Sequence, residues 1–148
     1  MTKSISVPSK PISNTKRPLP AIKNRGHQNP LLARWTGAFG APPFAKIEVK
    51  HFRPALKTAF REHKTEIEKI ACNSARPTFA NTILALEKSG TLLSRVGAVF
   101  GNLEATDSTP ELQDIAREMS PRFAAHETQI LLDARLFRRI DEIGRAHV

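Results

Sequence analysis

One cysteine, Cys72, in 148 residues excludes an internal disulfide and any cysteine-built metal cluster. Tyrosine is absent, and a single Trp stands beside eight Phe, so aromatic side chains with a polar handle are scarce. No apolar run approaches the ~18–20 residues of a membrane helix, and no apolar core of a signal peptide lies near the start. These absences argue against a membrane partner, and together with the lone thiol they set the expectation of a cytoplasmic, reducing compartment. Acidic residues are missing from the first 47 positions, which hold eight of the 23 Lys and Arg. From Glu48 onward 15 bases face all 14 acids, so the net charge of +9 belongs to the head of the chain. A basic head can attract nucleic acid, but no aromatic stacking platform interleaves with its charges, and no nucleic-acid partner is expected.

What is present divides the chain in three. Residues 1–28 carry Pro8, Pro11, Pro18 and Pro20 among Ser, Lys and Arg, with no sustained apolar period. They read as a disordered basic tail. An organelle transit peptide is the alternative, and four prolines oppose the amphipathic helix it would need. Residues 29–47 mix Gly37, Gly40, Pro42 and Pro43 with Leu31, Leu32, Trp35, Phe39, Phe44 and Ile47. Such a segment cannot form long regular structure, and its apolar anchors predict an extended stretch docked on helices.

Three helical patterns follow. The first spans about Val49 to Ala71 on a stripe of Phe52, Leu56, Phe60, Ile67 and Ile70, with Pro54 in the opening turn, where its missing N–H has no partner to lose. The second starts at an N-cap on Thr78 and carries Phe79, Ile83, Leu86, Leu93, Val96, Phe100 and Leu103; Gly90 marks a bend or break. In the third, Ser108 is expected to cap and Pro110 and Glu111 to fill the first turn. Leu112, Ile115, Met119, Phe123, His126 and Ile130 then form a narrow stripe, with a kink expected at Pro121. Asp133 would cap a last short helix bearing Leu136, Phe137 and Ile140. No hairpin signal exists, and the expected class is all-α, a set of antiparallel helices.

Chemistry is sparse. His126-Glu127-Thr128-Gln129-Ile130 begins like the H-E-x-x-H zinc helix, which needs two imidazoles at i and i+4 on one face. Ile130 occupies the second ligand position, so His126 reads as a packed, partly buried core histidine. His51 and His63 are three turns apart on one helix and cannot share a ligand. Glu62, Glu66 and Lys69 read as a solvated face with ion pairs, Cys72 as a structural thiol, and residues 37–40 as turn chemistry. No catalytic, cofactor-binding or metal residue is assigned to the chain.

Longer collinear motifs are more informative. Asn29-Pro30-Leu31-Leu32, Trp35-Thr36-Gly37, Pro42-Pro43-Phe44 and His51-Phe52-x-Pro54-Ala55 resemble the opening of bacterial peptidyl-dipeptidases. So do Pro77-Thr78-Phe79-x-Asn81-Thr82-Ile83-x-Ala85-Leu86-Glu87-x-Ser89-Gly90, Thr109-Pro110-Glu111-Leu112-Gln113, Ala124-Ala125-His126 and Leu136-Phe137-x-Arg139-Ile140. The matches span 29–140, and the region resembles the N-terminal part of the thimet oligopeptidase and peptidyl-dipeptidase family of zinc metallopeptidases. The resemblance implies a two-lobed helical enzyme that hydrolyses short peptides in a channel. It also implies that zinc is held by an H-E-x-x-H helix plus a later Glu, all downstream of the matched region. Residues 29–142 would then supply channel-wall helices that partner the remaining catalytic lobe, bind no zinc and are inactive alone. A stand-alone helical interaction module is the alternative. Residues 143–148, Ile-Gly-Arg-Ala-His-Val, coincide with the in-frame translation of a sequencing-library adapter and are expected to be an artefact.

Overall fold

The computed structural model describes residues 29–145; the expectations for the 1–28 tail and for positions 146–148 lie outside them. Among the described residues there is no strand, and the all-α expectation holds. The helices are α1 (Phe52–Ala71), α2 (Leu84–Lys88), α3 (Thr91–Thr106), α4 (Pro110–Leu131) and α5 (Ala134–Arg145). Residues 143–145 continue α5.

α1 is the column on which the others pack. Its Phe52, Ala55, Leu56 and Ala59 enter one apolar cluster with Leu93, Val96, Val99 and Phe100 of α3 and Leu112, Ile115 and Met119 of α4. One face, recurring every three or four residues, therefore serves two neighbours at once. Farther along α1, Ile67, Ile70 and Ala71 form a second, smaller cluster with Leu136 of α5. Pro54 falls in the first turn of α1, as its chemistry demands.

The segment before α1 docks as expected, by polar ties as well as apolar ones. Leu31 is fully buried, and Leu32, Trp35 and Ile47 pack on the larger cluster. Asn29 Nδ2 donates to the His51 carbonyl (2.8 Å) and Trp35 Nε1 to the Pro30 carbonyl (3.0 Å). Arg95 of α3 donates to the Leu31 carbonyl and lays its guanidinium over the Trp35 ring, 4.5 Å from the centroid. Two anchors expected to be buried are not. Phe39 lies fully in solvent with a left-handed φ of 56°, and Phe44 is exposed, because the turn between Gly37 and Gly40 swings them off the helices.

The second helical pattern is interrupted twice. Thr78 does cap it, its hydroxyl accepting from Asn81 N (3.1 Å), but the chain first makes a π-helical turn, Phe79–Ile83, before α2. Phe79, read as part of the stripe, is exposed, because the wider turn rotates it outward. The break expected at Gly90 is present: φ is +69°, a value that favours glycine.

At the start of α4 the cap is Thr109, not Ser108. Thr109 has the extended backbone of a cap and accepts from Leu112 N, which places Pro110 at the first helical position. Ser108 instead accepts from the Gln113 side chain. Replacing Thr109 by Ala is expected to cost about 1 kcal/mol in urea denaturation, and Ser108→Ala a few tenths at most. α4 then runs through Pro121 as one helix, so the proline does not end it. Asp133 caps α5 as expected, accepting from the backbone N–H of Arg135 (2.8 Å) and Leu136 (3.4 Å). The Arg135 guanidinium holds the Asp133 carboxyl down to about 2. On α5 only Leu136 of the expected trio is buried; Phe137 and Ile140 face solvent, and Arg139 is buried in their stead.

Candidate functional site

The near-motif at His126 lies in the C-terminal part of α4, where His126 is partly buried against α1. Its ring meets Phe60 edge-on (5.2 Å between centroids) and Nε2 lies 3.0 Å from Nδ1 of His63. The structure thus pairs His126 with His63 and not with position 130. On its other side His63 Nε2 lies 3.3 Å from Ser89 Oγ. Glu66, read as part of a solvated ion-paired face, instead accepts from Gly90 N (2.7 Å). A side chain at 90 would place its Cβ 2.7–2.9 Å from the His63 ring, so position 90 requires glycine for space as well as for φ. Burial pushes both imidazoles below their ordinary value. The Glu66 carboxylate partly offsets this at His63, while His63 and Lys64 add to it at His126.

Ser89, His63 and His126 have the composition of a nucleophile with its base, but the hydrogens run the wrong way. The single Ser89 hydroxyl proton is donated to the Leu86 carbonyl (2.7 Å), so Ser89 Oγ accepts from His63 and is not activated by it. The facing nitrogens, 3.0 Å apart with ring centroids 4.9 Å apart, supply only two imidazoles, fewer than the three or four protein ligands of a zinc site. Among the described residues no group of three or more His, Cys, Asp and Glu converges to hold a metal.

Cys72 is exposed at the C-terminal end of α1; its thiol donates to Glu68 (3.4 Å) and accepts from Arg135 (3.3 Å). His51, three turns from His63, uses Nδ1 to accept from Glu48 N in the turn before α1. A cleft of about 960 Å³ lies between the 29–50 segment and α1, with Arg34, Lys46, Lys50 and His51 against one acid, Glu48, which Lys50 neutralises at 2.7 Å. These groups can hold a chain segment in place; they do not form a constellation for bond cleavage.

The most elaborate polar site is structural and escaped the sequence pattern. Arg139, 7% exposed, donates through Nη1 to the carbonyls of Asn73 (2.5 Å) and Ala75 (3.2 Å) and through Nη2 to Asn81 Oδ1 (3.0 Å). It ties the non-helical stretch between α1 and the π-turn to α5.

No family model matches the chain. Over 115 residues it is 42% identical to dipeptidyl carboxypeptidase of Salmonella typhimurium and 40% identical to that of Escherichia coli, matches covering 78% of this chain and 17% of each relative. It is 26% identical to oligopeptidase A of Escherichia coli over 102 residues, 69% of this chain and 14% of the relative. The chain therefore spans about a sixth of the length of the curated relatives it matches. Its homologues are dipeptidyl carboxypeptidases and oligopeptidases A of the thimet oligopeptidase family, and the region shared with them is N-terminal.

Proposed function

We propose that residues 29–142 are the N-terminal helical region of a zinc metallopeptidase that hydrolyses short oligopeptides, in the manner of a peptidyl-dipeptidase. In this reading the helices wall the peptide channel and the chain contributes no zinc ligand. Zinc and the water-activating Glu belong to a catalytic lobe in further polypeptide. The observation that carries the proposal is the collinear similarity over 115 residues to dipeptidyl carboxypeptidases of which the match is only 17%.

The surface supports it. Leu131 (75% exposed) and Leu132 (77%) end α4, and Phe137 (69%) and Ile140 stand one turn apart on α5. Large apolar side chains left exposed on a helical body suit a region that packs on the rest of an enzyme. The direct test is the genomic sequence beyond the codon for Ile140. The proposal expects an open frame that reaches H-E-x-x-H; a natural stop after Val148 overturns it. The same exposed side chains also suit a stand-alone helical module that buries them by self-association. A compact dimer dissociated by Leu132→Asp or Phe137→Asp would favour that reading.

A further inference from the structure

Between the two apolar clusters of α1 lies one polar layer. Leu56, Ala59, His63, Ile67 and Ile70 follow one another in steps of three and four, so His63 occupies a core-facing position with the larger cluster on one side and the smaller on the other. His126 occupies the matching position on α4, after Leu112, Ile115 and Met119 and before Ile130. The protons of the layer are fixed by one observation. Ser89 gives its only hydrogen to the Leu86 carbonyl, so His63 must donate to Ser89 through Nε2–H. His63 Nδ1 is then an acceptor, and the hydrogen between the rings belongs to His126 Nε2. His126 Nδ1, on the far edge of that ring, is left with its lone pair.

We propose that His63 and His126 form a proton-counting clasp between α1 and α4, closed with none or one added proton and opened by the second. The first proton goes to His126 Nδ1. It leaves the facing hydrogen where it was, so the imidazolium–imidazole pair stays bonded, at the desolvation cost of a partly buried cation. The second proton has only His63 Nδ1 to bind. Two N–H groups and two cations then face each other across 3.0 Å, and the clasp parts.

The neighbouring charges favour the closed state at neutral pH. Around His126 α1 presents Lys57, Arg61 and Lys64, and α4 presents Arg122. The carboxylates on that side, Glu68 and Asp133, are engaged by Arg135 of α5. Glu66 is the carboxylate that bears on His63, and it is bonded to Gly90 N in the α2–α3 turn, which contributes no charge of its own. Both imidazoles bind protons less readily folded than unfolded. Stability is therefore complete above the unfolded value of about 6.5 and is lost as pH falls below it.

The test is made on the full 148-residue chain. Long-range proton–nitrogen correlation spectra at pH 7.5 should show His63 as the Nε2–H tautomer, and on acidification the pair should take up its two protons in two separated steps. A His63 Nδ1–H tautomer, or two independent curves at the ordinary histidine value, would overturn the clasp. The melting midpoint should fall by about 5 °C between pH 7.5 and 5.0, and by less than half as much in the His63→Gln/His126→Phe double variant. An equal fall in both overturns the proposal; if the double variant does not fold, the tautomer and the two-step titration of the unaltered chain decide.

Discussion

Phe52→Ala is expected to remove a third or more of the stability of the helical body. Phe52 has no exposed surface and meets Phe100 of α3 edge-to-face at 5.2 Å, inside the cluster that joins α1, α3 and α4. Truncating a buried Phe costs about 3–5 kcal/mol, the lost transfer energy plus the cavity left behind. A domain of this size is stable by only about 5–15 kcal/mol in total. The urea midpoint followed by far-ultraviolet circular dichroism should therefore fall by roughly a third or more, or the transition should vanish. Phe137→Ala is the control, since Phe137 stands 69% exposed on α5, and its midpoint should stay within about 0.5 kcal/mol of the parent. Equal effects at the two positions would mean the core is misassigned.

Arg139→Met should be the costliest substitution of a charged residue. It keeps the stem but leaves the carbonyls of Asn73 and Ala75 without their donor, while Asn81 Oδ1 loses one donor and keeps Thr78 N and Thr82 Oγ1. A buried polar group that loses its partner costs about 1–3 kcal/mol. The two carbonyls lie in one stretch that can relax together, so the expected total is about 1–3 kcal/mol. The neighbouring Arg138, which is exposed, should tolerate the same change to within about 0.5 kcal/mol. Amide exchange gives a sharper readout than the midpoint. In Arg139→Met the protection of α5 and of the 79–83 turn should fall first, while the centre of α3 keeps its own.

These two residues show what the sequence could and could not reveal. Phe52 was legible because its apolar neighbours recur at helical spacing, and periodicity reports which face is buried whatever lies opposite. Arg139 was not, because an apolar pattern assigns the face of α5 to Phe137 and Ile140. The deciding fact is a loop of unpaired carbonyls some 60 residues earlier. His126 was readable as a stripe histidine, but its partner is 63 residues away, beyond any local pattern. The available signal was the gap between Phe60 and Ile67 on α1: steps of three and four pass through His63, which completes the stripe as a polar member. Ser108 and Thr109 are chemically similar caps, and the choice falls on Thr109 because it puts Pro110 at the first helical position. Phe39 and Phe44 were misplaced for a related reason. Hydrophobicity says that a side chain gains by burial, but the glycine and proline turns decide where it points.

The central claim is that this region supplies helical architecture to a peptidase and no chemistry of its own. It is tested most directly on the purified 148-residue chain, incubated with excess zinc and desalted, by measuring bound zinc and hydrolysis of a short blocked peptide together. The account predicts far less than one zinc per chain and no turnover above buffer, because His126 faces His63 and Ile130 stands where a second ligand would be. One zinc per chain accompanied by peptide hydrolysis would contradict it.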